Sequence, residues 1–127
     1  MQAKQQAGKP RVVLIDDHAQ SNRVMMIALR MHGFTCKAVE TVADALAAMG
    51  SFRPDVVLLE WASRFERHVD RARRIRERAV ETGRSLAIVV VTHEPERPPA
   101  DVLAMVDGYL TKPVRLEQLE EAILKLA

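Results

Sequence analysis

Short apolar runs alternate five times with longer segments whose apolar residues recur at helical spacing. Val12 to Ile15, Asp55 to Leu59 and Leu86 to Val91 are the strongest runs; continuous apolar character predicts strands buried on both faces, and therefore a parallel sheet. Two weaker segments, Phe34 to Glu40 and Gly108 to Thr111, read as further strands. A helix is predicted over Ala19 to His32, with Val24, Ile27, Ala28 and Met31 at helical spacing and Gly33 at its C-terminal cap. Met25, Met26 and Met31 are expected in the core. Thr41 opens a second helix to about Met49, which Gly50 ends. Phe65, Val69, Ala72, Ile75 and Ala79 form the stripe of a third helix, ending near Gly83. Pro98-Pro99 opens a short fourth through about Val106, since proline suits a first turn. Arg115 to Leu126 is the last, with Leu116, Leu119, Ile123 and Leu126 facing inward.

Alternating βα units with right-handed crossovers predict an α/β, doubly wound, three-layer sandwich of one five-stranded parallel sheet and five helices. The second and fifth strands, shortest and least apolar, belong at the edges, which gives the flavodoxin-like order 2-1-3-4-5. The 127 residues suffice for one core, and 48% hydrophobic with 28% charged residues are the proportions of a soluble globular protein. A net charge of +2 is too small to imply nucleic-acid binding, and no apolar stretch approaches the ~18 residues of a membrane span. Residues 1–10 are polar and read as a disordered lead-in to a domain over 11–127. Cys36 stands alone, which excludes an internal disulfide, makes a reducing cytoplasm the expected location and suits a packed small hydrophobe.

Four of the five predicted strands run into polar residues at their carboxyl ends, where open α/β sheets place their sites. Asp16-Asp17 follow the first, Glu60 the third, Thr92 the fourth, and Thr111-Lys112-Pro113 the fifth. Three carboxylates, a hydroxyl and a lysine on one rim form a phosphoryl and divalent-metal constellation. Oxygen ligands favour magnesium or manganese over zinc. His18, His32, His68 and His93 show no ligand spacing, and none is read as a metal ligand.

These residues resemble the bacterial two-component receiver domain, the phosphate-accepting module of response regulators and hybrid kinases. The resemblance spans about Arg11 to Leu126 and is carried by Asp16-Asp17, Arg23, Gly33-Phe34, Asp44-Ala45-Leu46, Pro54 to Leu59, Thr92 and Tyr109-Leu110-Thr111-Lys112-Pro113. It implies that Asp16 and Asp17 hold Mg2+ together with Glu60 and the backbone carbonyl of Ala62. Thr92 would bond a phosphoryl oxygen, Lys112 would pair with phosphate or with residue 60, and Tyr109 would be the switch aromatic. A sensor kinase, phosphotransfer or output protein would engage the face over 98–127, as a monomer or weak homodimer. The module would not be an enzyme.

Three departures alter that expectation: Glu60 stands where the family has aspartate, Trp61 to Phe65 lacks the usual proline and glycine, and His93 replaces a small residue. The lengthened acid would reach toward the phosphoryl space and accept bonds from Lys112 or Thr92, as a weak permanent imitation of phosphorylation. At ~4.5 Å and an effective dielectric of ~20, each like-charge pair in the pocket costs roughly 3–4 kcal/mol before relaxation. The chain is therefore expected to be a pseudo-receiver that keeps weak metal binding and loses ordinary phosphorylation. A second reading keeps Glu60 as an unusual or engineered acceptor. A third concerns the region Arg64 to Arg84, where eight arginines stand among four acids. A solvated face is the plain account of it, and a surface for a cyclic dinucleotide the alternative, since arginine suits phosphates.

Overall fold

The computed structural model describes residues 9–61, 68–93 and 98–127. In chain order the elements are β1 (Arg11–Ile15), α1 (Ala19–Met31), β2 (Thr35–Val39), α2 (Val42–Phe52), β3 (Val56–Glu60), α3 (His68–Glu81), β4 (Ala87–His93), α4 (Ala100–Leu103), β5 (Gly108–Lys112) and α5 (Leu116–Leu126). The strands form one parallel sheet in the flavodoxin-like order β2-β1-β3-β4-β5 that the apolar runs predict. β3, central in the sheet, is buried throughout, whereas the edge strand β2 exposes Thr35 and Lys37.

Side chains alternate across the sheet and divide the core in two. Val13, Ile15, Val57, Leu59, Ile88 and Val90 pack with Ala45 and Met49 of α2 and Ala72 and Ile75 of α3. Val12, Leu14, Val56, Leu58 and Val89 pack on the opposite side with Leu29 of α1 and Leu119 and Ile123 of α5. Each fully buried aliphatic side chain contributes about 1.5–3 kcal/mol. Together the two clusters hold the strand ends, and the polar residues beyond them, in fixed register.

Three local expectations are corrected. On α1 the buried positions are Asn22 and Leu29, with Met25 and Met26 partly covered. Val24, Ile27 and Met31 are instead 63%, 48% and 80% exposed. The helix carries apolar residues on more than one face, and periodicity alone does not choose which face packs. Gly33 does end it: at φ 92° its N–H reaches the Arg30 carbonyl and the Phe34 N–H reaches Leu29.

The second correction concerns α2, which begins as predicted, the Asp44 N–H donating to Thr41 Oγ1 at 3.1 Å, but continues through Gly50 to Phe52. An interior glycine costs about 1 kcal/mol relative to alanine. Phe52 offsets this by packing against the core beneath the Arg11 guanidinium, 4.3 Å from the ring. Arg11 Nε also donates to the Phe52 carbonyl at 2.8 Å, and the helix ends only at Arg53, in the left-handed region at φ 57°.

Finally, α4 stops at Leu103 rather than Val106. Asp107 is drawn to β4 by two bonds with Ile88, its N–H donating to the Ile88 carbonyl at 2.8 Å and its carboxylate accepting from the Ile88 N–H at 2.7 Å.

Candidate functional site

Strand register brings the predicted polar residues to one edge. Ile15 pairs with Leu59, so Asp16 stands level with Glu60; Glu60 pairs with Val91, one residue before Thr92; and His93 pairs with Lys112. Asp16, Asp17, Glu60 and Thr92 are all buried.

At the centre of this edge, Glu60 Oε1 lies 2.6 Å from Lys112 Nζ, with the carboxylate side chain 5% exposed and the lysine 28%. A charge-assisted contact this short inside a protein is strong and directional. Asp16, Glu60 and Lys112 line one cleft of about 300 Å³, together with Asn22 and Met25 of α1 and Leu119 of α5. Thr92 follows Ile88 and Val90 in the alternation of β4, on the α2–α3 side, and it is Val91 that lines the cleft. Tyr109 is half-buried and packs with Met105 and Val106 against that same α2–α3 cluster. The Lys112–Pro113 peptide is cis. Ala62, the implied backbone metal ligand, lies outside the described residues, as do Phe65 and the side chains of Val69 and His93.

The acidic doublet is held by backbone bonds. The Asp16 N–H donates to the Val39 carbonyl at 3.1 Å. Asn22 Nδ2 donates to Val39 at 3.0 Å and to the Asp16 carbonyl at 3.4 Å, tying the ends of β1 and β2 to α1. His18 is fixed in turn, its N–H donating to Asp16 Oδ1 at 2.9 Å and its carbonyl accepting from the Asn22 N–H at 3.0 Å. Its ring was not expected among the metal ligands. The structure instead places Nδ1 3.3 Å from Asp16 Oδ1 and 3.2 Å from Asp17 Oδ1.

Among the described residues, Asp16, Asp17 and His18 are the group whose potential ligand atoms all lie within 4.8 Å of one another. Glu60, given to Lys112, is outside it. Three consecutive donor residues in a turn were visible in the sequence, but spacing rules drawn from helices pass over them. The donor set fits a divalent cation: two buried carboxylates beside an imidazole, on an edge where three carboxylates face one lysine and leave about two net negative charges.

A family model for the response regulator receiver domain matches residues 12–124. The chain belongs to this family. Receiver domains are signalling modules and typically bind Mg2+ at their acidic pocket. This receiver is 24% identical over 108 residues to the phosphate regulon transcriptional regulatory protein PhoB of Pseudomonas aeruginosa, a match covering 85% of this chain and 47% of that protein. The chain thus spans about half the length of the curated relative it matches. A CheY-like response regulator receiver domain from Methylobacillus flagellatus matches with a TM-score of 0.82 at 20% identity, over 94% of this receiver and 99% of that chain. A chain from the co-crystal structure of the Saccharomyces cerevisiae phosphotransfer protein Ypd1 and the receiver domain of Ssk1 gives a TM-score of 0.80 at 19% identity, over 94% and 89%. At these identities the solved structures show the fold.

The arginines of this receiver's α3 mostly bind the protein itself. Arg71 is buried, and its Nη1 donates to the Trp61 carbonyl at 2.8 Å, beside Glu60. Arg76 donates to the carbonyls of Met105 and Leu86 and pairs with Asp107 at 2.8 Å. Arg78 reaches the Leu46 carbonyl and Glu81, and Arg73 pairs with Asp70. Arg71 thus departs from the solvated face expected of this region, while Arg73 and Arg78 keep to it; Arg64 and Arg67 lie outside the described residues. Nothing in the sequence separates Arg71 from its neighbours except its place beside the Ala72–Ile75 stripe.

Proposed function

We propose that this receiver is a pseudo-receiver, a signalling module that acts through protein contacts and does not turn over an acyl phosphate of its own. The observation that carries the reading is the 2.6 Å contact between Glu60 and Lys112. In an ordinary receiver the shorter aspartate holds its oxygen in line with the phosphoryl donor, while a metal and the lysine neutralise the developing charge. Here the lengthened carboxylate takes up the lysine itself, and its oxygen is drawn toward β5. Phosphoryl transfer depends mostly on positioning, so a displacement of about 1 Å costs on the order of 10²-fold in rate. The internal pair also imitates phosphorylation only in part, since a carboxylate brings one charge and two oxygens where phosphate brings about two charges and three oxygens.

Asp16 and Asp17 would hold Mg2+, which when bound supplies charge neutralisation at the acidic edge. A sensor kinase, phosphotransfer or output protein would dock on the face over 98–127, in the cytoplasm. The Ypd1 and Ssk1 co-crystal supports a partner of the phosphotransfer kind. The test is incubation with acetyl phosphate and Mg2+ followed by intact-mass measurement. An unchanged mass is expected; a stable gain of one phosphoryl group on Glu60 would make this an active receiver.

A further inference from the structure

We infer that His18 completes an imidazole–dicarboxylate centre that selects a first-row transition-metal dication over Mg2+. The inference deepens the reading above, since it rests on Asp16 and Asp17 as metal-holding residues. Three observations carry it. The His18 ring presents Nδ1 to both carboxylates, 3.3 Å from Asp16 Oδ1 and 3.2 Å from Asp17 Oδ1. Ligand atoms about 2.0–2.2 Å from a shared cation stand roughly 2.9 Å apart across a right angle and roughly 3.4 Å apart across a tetrahedral angle. The measured separations fall between these.

The turn that carries the ring is also fixed before any ion arrives. Its backbone is bonded on both sides, to Asp16 Oδ1 and to the Asn22 N–H, and Asn22 is itself tied to β2. Lastly, Glu60 is engaged by Lys112 and lies outside the cluster, which leaves His18 as the third donor beside the two acids. An all-oxygen set suits Mg2+, whereas one imidazole nitrogen shifts preference toward cobalt, nickel and zinc, which also bind more tightly along the divalent series. The His18 side chain is 60% exposed, which leaves water access to the remaining coordination positions.

The probe is Co2+, whose visible absorption reports nitrogen ligation, titrated into the full chain at pH 8 with Mg2+ as competitor and Trp61 emission as a second readout. Co2+ should be preferred over Mg2+, with the two readouts giving the same ratio of affinities. His18→Gln should lower Co2+ affinity about tenfold or more while leaving Mg2+ affinity within about twofold. Asp17→Asn should weaken both metals, and His32→Gln, which removes the ring paired with Glu120 at 2.7 Å, should change neither. An unchanged Co2+ to Mg2+ ratio in His18→Gln overturns the inference and leaves the ring a simple hydrogen-bond partner. Co2+ binding that survives Asp17→Asn overturns it too, because the ion then sits elsewhere.

The phosphodonor experiment fails separately. A chain that gains a phosphoryl group yet needs His18 for Co2+ preference refutes the functional reading alone. One that gains none and shows no metal preference refutes this inference alone.

Discussion

At the end of β1, two buried carboxylates face the exposed imidazole of His18, whose backbone is bonded to Asp16 and to α1. At the ends of β3 and β5, Glu60 and Lys112 face each other below the surface at 2.6 Å. The two corners lie a few residues apart on one sheet edge and use the same kinds of charge. Their difference lies in what completes them: the β1 corner assembles donors around a position that a cation can fill, while the β3–β5 corner supplies its own counter-charge. On the proposed reading, the added methylene at position 60 turns a place for an exchangeable phosphoryl group into a closed pair.

The comparison is broken most forcefully at the closed corner. Lys112→Met leaves the Glu60 carboxylate buried without its cation and should lower the unfolding free energy by about 2–3 kcal/mol. That is below the usual cost of breaking a buried pair, because the lysine is 28% exposed. Urea titration reads the loss, and the double variant Glu60→Gln with Lys112→Met should recover most of it. Equal losses in single and double variants would show that the pair is not what ties the two residues' contributions together.

At the open corner the expected effect is smaller. Asn22→Ala removes the donor shared by the Val39 and Asp16 carbonyls and should cost about 1–2 kcal/mol. It should also weaken metal binding measured by titration, since the Asp16 carbonyl loses its side-chain tie to α1; stability loss with unchanged metal affinity would make Asn22 merely a structural tie.

Cys36 on β2 supplies the third case, a buried ionisable group with no compensating partner strong enough to hold its charge. Burial pushes its thiol from 9.0 up to about 11, and the Arg30 guanidinium draws it only partly back. The folded state keeps this proton while the unfolded state loses it above 9.0. The stability contribution is therefore complete below pH 9 and falls as pH rises toward 11, by roughly 1 kcal/mol at pH 10. Chemical denaturation at pH 8 and pH 10, in the native chain and in Cys36→Ala, checks this: the alanine variant should lose that part of the pH dependence.

The sheet order was legible because Val12 to Ile15, Asp55 to Leu59 and Leu86 to Val91 are apolar enough to demand burial on both faces, and that demand fixes which strands are central. The strand-end acids and Lys112 were legible for the same reason, since register follows from the runs. The contact of His18 with the two acids was hidden because it comes from the turn after β1, which Asn22 ties to β2 through a buried carboxamide that no apolar pattern announces. The exposed stripe Val24, Ile27 and Met31 misled because α1 offers two apolar faces and Leu29 decides between them. Phe52 extended α2 past Gly50 through a contact with Arg11, distant in sequence, that local propensity does not contain. Arg71 looked like one more surface charge until the Trp61 carbonyl gave its guanidinium a buried partner.

The most direct test of the closed corner sets the native chain beside Glu60→Asp, both treated with acetyl phosphate and Mg2+ and read by intact mass. Shortening the acid frees Lys112 and returns the oxygen toward an in-line position, so the aspartate variant should gain one phosphoryl group and the native chain none. A phosphoryl group on the native Glu60 would contradict the account, as it would mean that the ion pair with Lys112 opens readily enough for the longer acid to serve as acceptor.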